Sequence, residues 1–218
     1  SLIEMKETKT NFLRLAIDSN VLQFGEFILK SGRKSPYFFN AGLFNTGKAI
    51  AHLGRHYADT IVSSNIEFDM LFGPAYKGIT LASATASALS DKYDIDKPFA
   101  FNRKESKAHG EGGCVVGANL KGKVLIIDDV ITAGTAVREA YELIISENAS
   151  IAGLVISMDR QERGKSRNSA ISELEQELSS PVISIANLED LIFFIKEDED
   201  LKSHLPDLIE YRSKYSSL

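Results

Sequence analysis

The chain has 218 residues, 44% of them hydrophobic and 25% charged, which is the composition of an ordinary globular protein with length for one sizeable α/β domain. A formal net charge of −5 argues against a general nucleic-acid binder, and no run reaches the roughly 18 apolar residues of a membrane helix. The opening SLIEMKETKT has neither the basic nor the apolar segment of a signal peptide, so a cytoplasmic location is expected.

In chain order, the first pattern is an amphipathic helix, because the apolar residues of TNFLRLAIDSNVL recur three and four apart. Two aromatic-rich runs follow in FGEFILKSGRKSPYFFNAG, around Ser31 to Pro36. They predict a hairpin, part of a small hood over about residues 1–45. A second helical pattern runs from Thr46 to about Asn65. Strand and helix patterns then alternate. FDMLFGP is a short buried strand and GITLASATASALSDKY a helix of small residues. KPFAFNR is a strand, with a polar, glycine-containing stretch from Lys104 to Gly113 after it. KVLIIDDV, SIAGLVISMDR and PVISIANL are three further strands, and GTAVREAYELIISENA and SRNSAISELEQEL are the helices between them. Two helical stretches with Pro206 between them close the chain. This alternation predicts right-handed βαβ units and a parallel sheet flanked by helices over about residues 66–190. The whole is expected to be one domain, 1–218, with the C-terminal helices packed on that core.

Other features read as structural. The acidic run KEDED, Lys196 to Asp200, suits a solvated helix end. His52, His56 and His204 lie in helical patterns and read as ordinary surface or core histidines. The one cysteine, Cys114, excludes an internal disulfide and a thiolate metal site, and inert packing is expected of it.

The chemistry concentrates in KVLIIDDVITAGTA, Lys123 to Ala136. In a parallel sheet, ligands bind beyond the carboxyl ends of the strands, where Asp128 and Asp129 fall. The turn from Thr132 to Thr135 opens a helix whose first N–H groups lack intrahelical partners, so it suits a phosphate. Gly134 admits close backbone approach, and Ala133 and Ala136 keep bulk away. Carboxylates accept hydrogen bonds from sugar hydroxyls or join a magnesium shell; a phosphorylated ribose therefore satisfies both halves. A single Asp at a strand end or a single Thr at an N-cap would mean little, but the combination is specific. There is no Walker-type loop and no strand-linked Gly-x-Gly-x-x-Gly. Two basic clusters in an acidic chain, NRKESKAHG and RQERGKSR, point to a small anionic ligand.

This stretch resembles the phosphoribosyl-pyrophosphate (PRPP) signature of the type I phosphoribosyltransferases. FILKSGRKSPYFFNAG, GPAYKGI, AFNRKESKAHGEGG and SMDRQERG are similar, in order, to motifs of the orotate phosphoribosyltransferase family. The resemblance implies a type I phosphoribosyltransferase-like fold with an N-terminal hood. It also implies transfer of ribose 5-phosphate from PRPP to N1 of orotate, with Mg2+ as cofactor, for pyrimidine (UMP) biosynthesis. By resemblance, Asp128 and Asp129 bind the ribose hydroxyls, directly or through water and magnesium. Val130, Ile131, Thr132, Ala133, Gly134, Thr135 and Ala136 cradle the 5′-phosphate. Tyr76 and Lys77 meet the pyrophosphate, and Lys30 reaches the substrates from the hood. Arg103, Lys104 and Lys107 neutralise the leaving pyrophosphate, and His109 and Glu111 complete the closed site. Catalysis falls to Lys107, His109, Arg103 and Asp129; Phe38, Phe39, Thr132 and Arg160 contact orotate. No metal-ligand cage is implied, since PRPP itself carries most of the magnesium shell. In the family the loop spanning 103–113 enters the neighbouring subunit's site, which implies a homodimer and no nucleic-acid or membrane partner. A purine phosphoribosyltransferase would share the PRPP site, but SPYFFNAG and Arg160 favour orotate. A PRPP-binding regulator is expected to have lost the loop cations.

Overall fold

The computed structural model describes residues 2–105 and 113–217. A long helix α1 (Leu2–Asp18) leads into the hairpin β1 (Leu22–Ile28) and β2 (Lys34–Phe39), then α2 (Gly47–Ser64). The α/β body follows as β3 (Met70–Gly73), α3 (Lys77–Tyr93), β4 (Phe99–Asn102), β5 (Val115–Gly117), β6 (Lys123–Ile127) and α4 (Thr135–Ser146). It continues with β7 (Ser150–Asp159), α5 (Ala170–Leu178), β8 (Val182–Asn187), α6 (Leu188–Lys196) and α7 (Leu205–Tyr215).

Helix ends follow local chemistry. The Thr46 hydroxyl accepts from the Ala49 N–H at 3.1 Å to start α2, and Asn65, in a left-handed conformation, ends it. Asn187 and Asp190 form a reciprocal capping box on α6. Pro206 lies in the first turn of α7 rather than between two helices, because that turn needs no donor from it.

The six-stranded sheet has the order β5-β4-β3-β6-β7-β8. Every neighbouring pair is parallel except β4 and β5, so the expected parallel sheet gains a short antiparallel edge. Alternate strand residues serve two cores. Leu71, Leu125, Ile127 and Val155 face α1, α2, α3 and α6, whereas Phe72, Val124, Ile126, Leu154 and Ile156 face α4 and α5. With both faces covered, the strands must be apolar throughout, as KVLII is. The hairpin pairs Leu22 with Phe39 and Ile28 with Lys34, and its Tyr37 and Phe39 are buried against the first core.

Of three lesser readings, one needs amendment and two stand with detail added. Cys114 is exposed at the start of the edge strand β5, so it is not a packed core residue. The acidic run forms an ordered turn, in which Asp198 pairs with Arg14 at 2.6 Å and accepts from the Asp200 and Leu201 N–H groups. His204 stacks on Phe24 at 4.7 Å between ring centroids, and His56 is buried edge-on to Phe12. Among the described residues, no helix is long and apolar enough to cross a membrane.

Candidate active site

The carboxyl end of β6 delivers Asp128 and Asp129, each only 7% exposed. Their backbone is anchored from two sides. The buried Tyr57 hydroxyl, from α2, donates to the Asp128 carbonyl at 2.6 Å. The Asp129 carbonyl accepts from the Ser157 hydroxyl at 2.7 Å and the Ser157 N–H at 2.8 Å, from β7. The Asp128 carboxylate accepts from the Asp129 N–H at 2.9 Å. Burial, reinforced by the neighbouring Asp129 charge, pushes the Asp128 carboxyl up to about 7. Two adjacent carboxylates with little water are thus poised to gain from a partner that donates hydrogen bonds or brings positive charge.

Beyond them the chain turns into α4. Thr132, Ala133 and Thr135 are exposed, and Gly134 sits at the N-cap with φ 75° and offers no capping side chain. The first N–H groups of α4 are therefore left for a ligand, and the helix dipole favours an anion there. Arg138 braces the turn from behind. It donates to the Ala133 carbonyl and pairs with Glu177 at 2.6 Å.

A second turn, Pro74 to Tyr76, leads from β3 into α3, and its Ala75–Tyr76 peptide is cis. The Ala75 N–H donates to the Asn102 side chain at 2.7 Å, tying this turn to the end of β4. Lys77, at the start of α3, places its ammonium 3.5 Å from the Asp129 carboxylate. The Lys104 ammonium lies 5.3 Å above the Tyr76 ring, within cation–π range. The Arg103 N–H donates to the Cys114 carbonyl at 2.8 Å and so closes the base of the following loop. Lys107, His109 and Glu111 lie outside the described residues.

The hairpin and the end of β7 supply the remaining candidates. Lys30 is exposed at the hairpin turn. Phe39 points into the core, whereas Phe38 is half-buried and stacks on Phe27 at 5.5 Å, so only the Phe38 ring is placed to cover a ligand face. Arg160 lies over the Tyr37 ring at 3.9 Å and pairs with Glu162 at 2.8 Å. The structure thus joins Lys77 to the acidic pair and Lys104 to Tyr76, and it sets Arg160 against the hairpin. Tyr57, Ser157, Asn102 and Glu162 escaped the sequence reading. Tyr57 and Ser157 act on backbone carbonyls contributed by a different strand, which no local spacing reveals.

The arrangement can hold a phosphorylated sugar on β6–α4, with a second anion near the β3–α3 turn. Residues 42–186 match the family model described as phosphoribosyl transferase domain. The chain is 59% identical to the orotate phosphoribosyltransferase of Pseudomonas syringae pv. tomato, across 97% of this chain and 99% of the relative. It is 56% identical to that of Salmonella agona over the same shares. A crystal structure of orotate phosphoribosyltransferase from Francisella tularensis superposes with a TM-score of 0.85 at 48% identity, covering 94% of this chain and 98% of that one.

Proposed function

This chain belongs to the phosphoribosyltransferase family, in its orotate phosphoribosyltransferase branch, and on that premise we propose how its residues divide the work. The activity is transfer of ribose 5-phosphate from PRPP to N1 of orotate, giving orotidine 5′-monophosphate and pyrophosphate in pyrimidine biosynthesis. The observation that carries the assignment of the donor site is the buried Asp128–Asp129 pair beside the uncapped start of α4. In it, Asp128 and Asp129 accept from the ribose hydroxyls, and Val130 to Ala136 wrap the 5′-phosphate. Lys77 and Tyr76 receive the pyrophosphate of PRPP.

As the bond from C1′ to pyrophosphate breaks, positive charge grows on the sugar and negative charge on the leaving oxygens. Arg103, Lys104 and Lys107 stabilise the second as it develops, and His109 and Glu111 close the site around it. Orotate loses its ring proton readily, so no strong general base is required. Phe38 covers the base, and Arg160 meets its carboxylate.

Magnesium fits this donor set as an ion shared with substrate. Among the described residues no cluster of three ligating side chains exists. The two carboxylates could supply part of a shell otherwise made of PRPP oxygens and water, as suits magnesium. When bound, the ion would neutralise charge on the pyrophosphate. A homodimer whose 103–113 loops complete each other's sites, and a cytoplasmic location, belong to the same proposal.

The test is loss of orotate ultraviolet absorbance on adding PRPP, with and without magnesium, and with adenine, guanine and uracil as parallel acceptors. The expected result is PRPP- and magnesium-dependent loss with orotate alone. Turnover of a purine instead would remove the Phe38 and Arg160 assignments, and full rate after chelation would remove magnesium.

A further inference from the structure

SMDRQERG contributed only Arg160 to the assignments above, yet the residues after it form a closed polar cluster. Arg160 leaves the end of β7 with Nε donating to Glu162 Oε1 at 2.8 Å. Its Nη2 donates to the Ser35 hydroxyl of β2 at 2.9 Å and approaches the Tyr211 hydroxyl of α7 at 3.4 Å. The buried ring of Tyr37 supports one face of the guanidinium. Glu162 is shared further. Its Oε1 accepts from the Tyr211 hydroxyl at 2.6 Å, and its Oε2 accepts from Arg33 Nη1 at 2.9 Å. A kink at Gln161, φ 54°, with its N–H held by Asp159 at 2.8 Å, precedes Glu162.

A guanidinium has five N–H donors in one plane. Here two edges and one face are taken, which leaves one orientation. Nη1 has no partner among the described residues and is not among the buried unpaired atoms, so it remains free to donate outward. Glu162 also compensates a positive charge that is only 16% exposed, before any substrate arrives.

We propose that Glu162 and Tyr211 are positioning residues that hold Arg160 with its Nη1 edge toward the carboxylate of the acceptor. The C-terminal helix α7 is thereby part of the acceptor-recognition device. The proposal rests on the orotate reading of the preceding subsection. Among the described residues, no hydrogen bond links this cluster to Asp128, Asp129 or Lys77, so its effect should fall on acceptor binding and leave donor binding alone.

The experiment is steady-state kinetics of Tyr211→Phe and Glu162→Gln, with orotate and PRPP varied separately and melting temperatures recorded. Tyr211→Phe removes one hydroxyl and keeps the fold. It should raise KM for orotate by about 3–10-fold, as expected for the net loss of one ordinary hydrogen bond, with KM for PRPP unchanged. Glu162→Gln should raise it further. A lower melting temperature or active fraction with both KM values at wild-type levels would make the cluster purely structural and overturn the proposal. Wild-type protein that fails to consume orotate at all would instead sink the functional reading, and this proposal with it.

Discussion

Asp128 and His56 are two buried titratable groups whose effects on stability run in opposite directions with pH. Asp128 has its folded pKa raised from 3.8 to about 7, so between those values the folded protein keeps a proton that the unfolded chain has released. Stability therefore falls as pH rises through that window. Asp128→Asn should stabilise the ligand-free protein at pH 8 by about 1–3 kcal/mol and abolish turnover, as thermal melts and the orotate assay would show. An Asn variant no more stable than wild type would mean that the pair is relaxed by solvent. His56 behaves conversely. Burial lowers it from 6.5 to about 4, against the opposing charge of Asp59 and with the help of His52, Lys92 and Arg55. Its Nδ1 has no partner among the described residues. Its contribution is complete above pH 6.5 and is lost as pH falls toward 4. His56→Leu should flatten that acid limb by about 2–3 kcal/mol in denaturant melts at pH 4.5 against pH 7, and an unchanged limb would clear His56 of the effect. The acidic pair was legible because its chemistry is local, two carboxylates beside a small hydroxyl-bearing turn. The consequences of burying it, and the hydroxyls of Tyr57 and Ser157 that anchor it, depend on chain segments brought together only by the fold.

Close approach of β3 to the start of α3 places the turn proposed to meet pyrophosphate. A Cβ on Gly73 would lie 2.1 Å from the Gly78 carbonyl oxygen, and one on Gly78 would lie 2.7 Å from the Pro74 ring. Both contacts are with backbone or a rigid ring and cannot be relieved by rotating a side chain. Gly73→Ala should therefore cost about 2–4 kcal/mol of stability or displace the turn and raise KM for PRPP. Wild-type melting and kinetics together would show that the turn tolerates separation from α3. The same scale shows where element reading succeeds. The helical pattern from Thr46 to Asn65 matches α2, Gly47–Ser64, to within a residue at each end, and KVLIIDDV starts where β6 does but ends three residues beyond it. β5, just beyond the glycine-containing stretch that ends at Gly113, was missed because three residues carry no period, and only pairing with Phe99–Asn102 makes them a strand. α1 extends further back than its apolar spacing suggested, and Leu2 and Ile3 on that extension are exposed.

At the scale of the whole molecule, the proposed sharing of loops between subunits can be tested by complementation. Lys107→Ala should depress turnover by about 100-fold or more with the fold intact, as for a group acting on charge that develops only in the transition state. Mixing it with a chain carrying Asp128→Asn and Asp129→Asn should restore part of the activity, because one hybrid site then has both a sound loop and a sound acidic pair. Confirmed chain exchange without recovery would confine each loop to its own subunit. The two halves of the site also differ in where the chain encodes them. The described groups of the proposed donor site, from Tyr57 through Lys77 and Asp129 to Ser157, all precede Asp159, whereas the clasp on Arg160 waits for Glu162 and Tyr211. A polypeptide made from its N-terminus acquires these parts in that order. Phe38, the proposed cover of the base, is made before any of these groups, so what synthesis adds last is the grip that fixes the direction of Arg160.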